Sequence, residues 1–448
     1  MSNESNSKVI ERDSHAIGQA QKVRFYPIVI ESASGSIVKD NSGREFIDFT
    51  AGWAVANVGY SHPRIVDAII KQVRKTTFSS VNTFPSEVCI DHAEKLMKIT
   101  PGDFSKKVWF GLAGSDANDL IFKVLPIATK RSKILSFIGS YHGQTMGSLS
   151  LSGHKAHSRY VGFGNVVKVP YAYCYRCPLA LTYPECGVYC AKGFIEDYVF
   201  ETLIDPNDLS GLIVEPIQSD GGDAVPPDEY MGVLRKLCDK YGLLFVDDEV
   251  KTGFGRTGKM FAIQHCEVIP DLVVMGKPMA GGLSLSAVVG KSEVLDSISG
   301  THVLTTGGNA VSCAAGIATL DVIETEGLLE NARKVGEFMK RRFQEMAKTH
   351  EMIGDVRGKG MIIGVELVKD RKTKQPAKAE TAKLSYQAWK YGLLTVYVGI
   401  HSNVMEITPP LLLTEAEAAK GLDQFERALS DVEHGGVSDA EVAQYTGW

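Results

Sequence analysis

The sequence predicts an α/β fold in two parts, a large domain built on a mostly parallel sheet and a smaller α+β domain. Two short apolar runs, 243–246 and 272–275, have the length and composition of strands buried in a parallel sheet. Strand-like and helix-like segments alternate from about residue 107 to about residue 275, which is typical of a sheet covered by helices. Beyond about residue 325 this alternation gives way to long helices and short strands, which indicates a separate domain.

Composition excludes several classes of protein. The chain has 448 residues, of which 44% are hydrophobic, and this is enough for two domains with cores of their own. Its formal net charge of −5 provides no basic surface field for nucleic acid. No run approaches the roughly 18 apolar residues of a membrane span, and the stretch 1–8 lacks the apolar centre of a signal peptide. We therefore expect a soluble, cytoplasmic protein that binds neither nucleic acid nor membranes.

Residues 1–60 are expected to form an N-terminal arm and strands that pack with the small domain. The predicted elements are a short helix before about residue 25, extended segments at 28–30 and 37–40, and a strand at 45–49. Trp53 follows in a loop of small residues. Lining a substrate pocket and simple packing are both open interpretations for its ring.

Residues 61–325 are expected to form the large domain and residues 326–448 the small one. The predicted helices of the large domain cover 63–75, 86–99, 193–202 and 228–241, and its strands cover 107–110, 133–138 and 211–214 besides the two apolar runs. A helix ending near residue 326 and a second helix over 328–350 lead into the small domain. There, strands are predicted at 364–368, 393–398 and 404–407, and helices at 377–391 and 414–429.

The two apolar runs end in charged residues. Asp247, Asp248 and Glu249 follow the first run, and Gly276 and Lys277 follow the second. Charged groups are costly to bury unless they are paired or used, and α/β sheets bind ligands at the carboxyl ends of their strands. We therefore expect Asp248 and Lys277 to face one crevice. The amine would hold a cofactor covalently there, and the acid would hold a protonated ring nitrogen.

A phosphate cradle is predicted where the strand 107–110 leads into a helix. Gly114 and Ser115 lie at this junction, and small residues at a helix N-terminus leave backbone N–H groups accessible to an anion. Ser115 adds a hydroxyl group. Ser115 and Asp116 are also an ordinary pair for capping a helix, so capping alone is the alternative interpretation.

The next two strand ends also carry polar or aromatic side chains. Tyr141 and His142 lie between two glycines, where an aromatic ring can stack on a flat ligand or simply cover the edge of the sheet. Glu215, Gln218 and Asp220 crowd the end of the following strand. These residues add candidate ligand contacts to the same edge of the sheet.

Four of the eight cysteines cluster in an insertion at 170–192, which we call the cysteine insertion. They are Cys174, Cys177, Cys186 and Cys190. Paired cysteines at such spacings in a cytosolic chain favour a small structural zinc site. Two local disulfides or four free thiols are the alternatives. In each case the cluster is expected to take no part in the chemistry.

The assembled motifs resemble the class III aminotransferases, which are pyridoxal 5′-phosphate (PLP) enzymes with the aspartate-aminotransferase-like fold. The resemblance extends over almost the whole chain. Its most specific parts are the run 248–258, Asp-Glu-Val-Lys-Thr-Gly-Phe-Gly-Arg-Thr-Gly, and Lys277 nineteen positions after the last glycine of that run. It implies a PLP-dependent enzyme that acts on a small-molecule amine, in a homodimer with shared active sites or in a higher oligomer.

The resemblance also implies a role for each site residue. Lys277 would form the Schiff base with the cofactor, and Asp248 would keep the pyridine nitrogen protonated. Thr305 would reach the phosphate bound in the neighbouring subunit. The remaining cofactor contacts that it implies are Gly114, Ser115 and Asp116 at the phosphate, Val250 and Tyr141 on the ring faces, Gln218 near the phenolic oxygen, and His142 and Glu215 beside them.

Two departures from the aminotransferase pattern are informative. Lys251 stands where many relatives have Gln, and Glu406 stands where many have the Arg that clamps a substrate carboxylate. A glutamate there would repel a free carboxylate, so we expect a substrate with a masked carboxyl, an amino-lactam or an α-amino-acid amide. A narrower group, the α-amino-ε-caprolactam racemases, resembles this chain at 215–222, 248–251 and 403–406. The cysteine insertion and Ala310 depart from that group.

These residues favour a racemase, an isomerase that inverts the α-carbon. Lys277 would remove the α-proton, and Asp248 would help the ring to hold the charge. Asp220 and Tyr141 would return a proton on the opposite face, and Lys251 would tune their charge. The alternative for Lys251 is a solvated loop lysine. The alternative functions are an ω-amino-acid or amine aminotransferase, and a cofactor-binding protein without activity.

Overall fold

The computed structural model describes residues 2–158 and 164–447. We label helices and strands in chain order. The helices are α1 (Ser2–Ala16), α2 (Ala51–Ala54), α3 (Pro63–Lys75), α4 (Glu87–Ile99), α5 (Gly114–Thr129), α6 (Met146–Leu151), α7 (Lys155–Ser158), α8 (Tyr230–Tyr241), α9 (Ser292–Leu295), α10 (Ala310–Thr325), α11 (Leu328–Thr349), α12 (Lys378–Lys390), α13 (Glu415–Glu433) and α14 (Asp439–Val442). A π-helical segment, Phe194–Phe200, takes the place of the helix predicted at 193–202.

The strands agree with most of the predicted ones to within a few residues. They are β1 (Ile30–Ser34), β2 (Ile37–Asp40), β3 (Glu45–Asp48), β4 (Lys106–Gly111), β5 (Lys133–Phe137), β6 (Val166–Val169), β7 (Leu209–Val214), β8 (Leu244–Asp248), β9 (Leu272–Met275), β10 (Ser286–Lys291), β11 (Ile353–Lys359), β12 (Ile362–Asp370), β13 (Gln375–Pro376), β14 (Leu393–Leu394), β15 (Val396–Val398) and β16 (Val404–Ile407). Sequence analysis did not predict β6, β10, β11 or β13.

A seven-stranded sheet in the order β4-β10-β9-β8-β7-β5-β6 forms the centre of the molecule. Strand β10 pairs antiparallel with both β4 and β9, and the remaining pairs are parallel. The prediction of a mostly parallel sheet is therefore confirmed. The carboxyl ends of β5, β7, β8 and β9 lie side by side at one edge.

Helices cover both faces of this sheet, which explains why its central strands β7, β8 and β9 are largely apolar. Phe245 of β8 belongs to the main core, whereas its neighbour Val246 packs with α5 residues such as Ile121 and Val124 on the opposite face. In these three strands, charged side chains therefore appear only at the carboxyl end of β8.

Two smaller sheets complete the fold. Strands β1, β2, β3 and β14 form one, in which Ile47 of the N-terminal region pairs with Leu393 near the C-terminus. Strands β11, β12, β16 and β15 form the other, with β13 added to β12. No helix among the described residues is long and apolar enough to cross a membrane.

Two helical glycines provide a test of this packing. A Cβ at Gly336 of α11 would lie 2.1 Å from the carbonyl oxygen of Gly360, whereas a Cβ at Gly232 of α8 would meet nothing within 4 Å. We expect Gly336→Ala to lower the free energy of unfolding by about 1–3 kcal/mol, because the clash outweighs the gain in helix propensity. Gly232→Ala should raise it by up to about 1 kcal/mol. Urea unfolding measures the change in the free energy of unfolding for both variants. Equal changes would contradict the close contact described at Gly336.

Candidate active site

A cavity of about 310 Å³ lies at the carboxyl ends of the central strands. Each neighbouring strand contributes the residues that follow it. The functional side chains that line it are Ser115 and Asn118 from α5, Tyr141 and His142 after β5, Glu215, Ser219 and Asp220 after β7, Asp248, Val250 and Lys251 from β8 onward, and Lys277 after β9. The fold thus brings most of the predicted site residues together.

Helix α5 points its N-terminus at this cavity. It begins at Gly114, and a Cβ there would lie 2.8 Å from Val250 Cγ1, so only glycine allows this close approach. Asp116 accepts hydrogen bonds from the N–H groups of Leu112 at 3.2 Å and Ala113 at 3.1 Å. Asp116 therefore caps the helix and does not line the cavity. For Asp116, this agrees with the alternative in which the residue only caps the helix.

Asp248 is buried and held on three sides. Its Oδ2 accepts hydrogen bonds from Asn118 Nδ2 at 2.9 Å and pairs with His142 Nδ1 at 2.6 Å, while its Oδ1 accepts from the N–H of Val250 at 3.0 Å. These bonds fix the carboxylate in one orientation at the cavity wall. Sequence analysis missed Asn118, which lies one turn of α5 after Gly114.

Lys277 follows β9 and begins a 3₁₀ turn with a φ of 35°. A non-glycine residue in this region costs about 1–3 kcal/mol, and such strain is concentrated at functional sites. Burial, and then the charge of Lys251, lower the pKa of the Lys277 amine. Within the described residues, its Nζ has no hydrogen-bond or ion-pair partner. The amine is thus available for chemistry.

Glu215 joins two strand ends below the cavity. Its carboxylate accepts hydrogen bonds from the N–H groups of Tyr141 at 2.8 Å and Ser219 at 3.1 Å, and burial raises its pKa to about 7. Burial and the charge of Asp220 raise the pKa of Tyr141 to about 12, so its hydroxyl stays protonated at neutral pH. Gln218 donates to the carbonyl of Ile138 at 3.1 Å and lies behind the cavity wall.

Lys251 is buried, so the alternative of a solvated loop lysine is wrong. Its Nζ forms an ion pair with Glu406 and lies 3.8 Å from Oδ1 of Asp220. Ser219 donates to the same Glu406 oxygen at 3.0 Å. Glu406 is fully buried behind Lys251 and does not line the cavity. Its position therefore gives no support to the expected repulsion of a substrate carboxylate.

A third carboxyl group, on Asp223, adds to this cluster. It is fully buried, and neither of its oxygens has a hydrogen-bond partner in the described part of the chain. Burial, followed by the charge of Glu406, raises its pKa well above the usual range. Burial therefore favours the neutral form of Asp223, and the ion-pair partners of Lys251 are Glu406 and Asp220.

Trp53 lies next to this cluster. The Nζ of Lys251 is 5.4 Å from the centre of its ring, within the range of a cation–π contact. The turn α2 that carries it has positive φ at all four residues, including 68° at Trp53 itself. Left-handed backbone of this kind costs about 1–2 kcal/mol for each non-glycine residue. The ring is partly buried against Phe25, at a centroid distance of 5.8 Å.

Thr305 is exposed and lies outside the cavity of its own chain. Its predicted contact with a phosphate in a neighbouring subunit stays a prediction.

The structure does not support the zinc prediction for the cysteine insertion. The four cysteines are free thiols, and they border a small pocket together with apolar and tyrosine side chains. Within residues 2–158 and 164–447, no group of three or more His, Cys, Asp or Glu could hold a metal ion. Burial and the neighbouring cysteines raise the pKa of Cys190 to about 12. The structure agrees with the alternative of four free thiols.

The cavity suits PLP in its residue types. The N-terminus of α5 with Ser115 is a cradle for phosphate, and the glycine at 114 leaves the room that a Cβ would fill. Asp248 is an oriented anion for a ring nitrogen, and Lys277 is an unpaired amine. Together with the sheet order, these features define a PLP-dependent enzyme of fold type I.

Comparison with known proteins makes the assignment more specific. The profile of the family described as Aminotransferase class-III matches residues 18–429. The chain belongs to this family, which confirms the predicted fold and supports PLP as the cofactor. It is 41% identical over 437 residues to the alanine/serine racemase of Pyrococcus horikoshii, covering 96% of this chain and 91% of that protein.

Two further similarities bear on function. The chain is 40% identical over 445 residues to the leucine/methionine racemase of Thermococcus litoralis, covering 98% of this chain and 99% of the relative. An aminotransferase structure from Bacillus anthracis superposes with a TM-score of 0.88 at 28% identity, covering 96% of this chain and 99% of that one. Sequence identity to racemases thus exceeds identity to this aminotransferase.

The buried ion pair between Lys251 and Glu406 makes a prediction for stability. We expect Lys251→Met to lower the free energy of unfolding by about 3–5 kcal/mol, because it leaves the Glu406 charge buried without a partner. The double variant Lys251→Met, Glu406→Gln should recover part of this loss, because no uncompensated charge remains. Urea unfolding of the two variants measures the difference. A double variant no more stable than the single one would contradict the pairing.

Proposed function

We propose that this protein is a PLP-dependent racemase or epimerase that inverts the α-carbon of a small α-amino compound. The observation that carries the proposal is the presence of two groups that can transfer a proton at one cavity. Lys277 offers an unpaired amine, and Asp220 offers a carboxyl group beside the buried charge of Lys251. Inversion requires a proton to leave one face of a carbon and another to arrive on the opposite face.

The residues that would hold PLP follow from the site. Ser115 and the N-terminus of α5 would bind its phosphate, Asp248 its ring nitrogen, and Val250 and Tyr141 the two faces of its ring. When bound, PLP supplies an electron-accepting ring that stabilises negative charge at the substrate α-carbon.

Protein side chains then carry the protons. Lys277 removes the α-proton from the face that its Nζ approaches, which requires a neutral amine, and the lowered pKa of Lys277 favours that form. Asp220, in its protonated form, delivers its proton to the other face, with Tyr141 beside it. This leaves Asp220 as a carboxylate and Lys277 as an ammonium group, and proton exchange with solvent restores both. Lys251 fixes Asp220 through its charge and is itself fixed by Glu406. The same steps in reverse convert the other enantiomer.

Two substrate classes are candidates. The first is neutral α-amino acids, because the two relatives at 40–41% identity are named for alanine, serine, leucine and methionine. The second is α-amino-acid amides and amino-lactams. No arginine is among the described residues that line the cavity, so the site lacks the usual clamp for a carboxylate.

We further propose a homodimer in which Thr305 of each subunit completes the phosphate site of its partner. Thr305 is exposed in the single chain, as a residue with such a role must be.

Turnover without a keto acid tests the proposed reaction. Purified enzyme with PLP and one enantiomer of alanine, leucine, leucinamide or α-amino-ε-caprolactam should yield the opposite enantiomer, because no amino group has to be exchanged. Chiral chromatography measures both enantiomers. Product formation that requires pyruvate or 2-oxoglutarate would instead identify an aminotransferase.

Replacement of the second acid/base makes a narrower prediction. Asp220→Asn should lower the rate of racemisation by about 10²-fold or more, because the amide cannot donate or accept the proton. It should leave α-proton exchange on the Lys277 face. In D₂O, mass spectrometry should therefore find deuterium entering one enantiomer of the substrate while little of the other enantiomer forms. Loss of both exchange and inversion, with PLP still bound, would show that the substitution impairs more than the second proton transfer and would contradict the role given to Asp220.

A further inference from the structure

A partly buried polar network connects the cysteine insertion to the loop that carries Asp220. Its centre is Arg357, on strand β11 of the small domain. The Nε of Arg357 donates to the carbonyl oxygens of Gly222 at 3.0 Å and Asp223 at 3.2 Å. Both carbonyls belong to the loop 219–223. One side chain from the small domain therefore fixes the backbone two and three residues beyond Asp220.

The cysteine insertion holds Arg357 in place. The hydroxyl of Tyr173 accepts a hydrogen bond from Arg357 Nη2 at 2.7 Å, and its ring lies 4.8 Å from the guanidinium carbon. The same hydroxyl donates to Glu366, which is fully buried and lies 2.8 Å from Arg357 Nη1. Arg176, three residues after Tyr173, forms an ion pair with the other oxygen of Glu366. We call Tyr173, Arg176, Arg357 and Glu366 the Arg357 network.

The loop 219–223 also has a second anchor. The carbonyl of Asp220 accepts a hydrogen bond from the N–H of Gly399 at 3.0 Å. Gly222 has a φ of 116°, a backbone conformation that residues with a Cβ rarely adopt, and a Cβ there would lie 3.3 Å from Arg357 Nη2. The backbone on both sides of the Asp220 side chain is thus held by the small domain.

The position of Asp220 has a chemical consequence. Proton delivery requires the carboxyl group to be within hydrogen-bond reach of the carbon, and a displacement of about 1 Å can cost about 10²-fold in rate. Lys277 follows a different strand, β9, and no contact within the described residues joins it to a member of the Arg357 network. Loosening the network would therefore affect one proton transfer and spare the other.

We infer that Tyr173 and Arg357 are positioning residues for Asp220, so that the cysteine insertion acts on the second proton transfer although it does not line the cavity. This inference rests on the proposed racemisation. It gives the cysteine insertion a function that requires neither metal nor disulfide.

The variant Tyr173→Phe tests the inference, because it keeps the ring and removes only the hydroxyl that contacts Arg357 and Glu366. Tyr175→Phe is the matched control. Tyr175 belongs to the same insertion, and its hydroxyl has no hydrogen-bond partner among the described residues. Holoenzymes of the wild type and both variants are incubated in D₂O with each substrate enantiomer. Mass spectrometry after chiral separation gives the ratio of α-deuterium in recovered substrate to product formed.

For the enantiomer whose proton faces Lys277, Tyr173→Phe should raise this ratio about tenfold, because Lys277 still exchanges the proton while Asp220 delivers its own more slowly. Tyr175→Phe should match the wild type. A role in folding alone would lower exchange and product together, so an unchanged ratio in Tyr173→Phe would overturn the inference, whatever its rate. A wild type that forms no opposite enantiomer would overturn the proposed function instead, and the inference with it.

Discussion

The ion pair between Lys251 and Glu406 is the constraint on which the site depends. An ammonium group costs several kcal/mol to bury, and a carboxylate offsets this cost only when it is held in good geometry. Lys251 lies in the loop after β8 of the central sheet, and Glu406 lies on β16 of a second sheet. The pair therefore forms only when these two parts of the chain are correctly packed. The charge of Lys251 then sets the electrostatic surroundings of Asp220, whose Oδ1 lies 3.8 Å from Lys251 Nζ.

The remainder of the site follows from the order of the strands. Parallel strands end at the same edge, so Tyr141, Asp220, Asp248 and Lys277 converge although up to 136 positions separate them along the chain. Strand β10 enters between β4 and β9 and runs opposite to both. Because β4 and β9 are both antiparallel to β10, they run in the same direction, and α5, which follows β4, begins at the same edge as Lys277. The N-terminus of α5 and Lys277 therefore line one cavity, where the helix can bind a phosphate group.

Sequence reasoning predicted those features that are local in the chain. An apolar run followed by a charge identified Asp248 and Lys277, and the alternation of strands and helices predicted the mostly parallel sheet. It could not predict contacts made over long separations. Glu406 was interpreted as a charge facing the substrate because its partner, Lys251, lies 155 positions away. Asn118 and Arg357 were missed because each looks like an ordinary helix or strand residue until the fold is known. Cysteine spacing alone could not decide between a zinc site and free thiols, and the structure supports free thiols.

The central claim is that Lys277 and Asp220 act on opposite faces of one carbon. A crystal structure of the holoenzyme with a bound, unreactive analogue of its substrate tests this most directly. The account predicts that Lys277 Nζ and a carboxylate oxygen of Asp220 lie on opposite sides of the α-carbon, each within about 3–3.5 Å of the position of its proton. Both groups on the same face, or Asp220 turned away from the carbon, would contradict it.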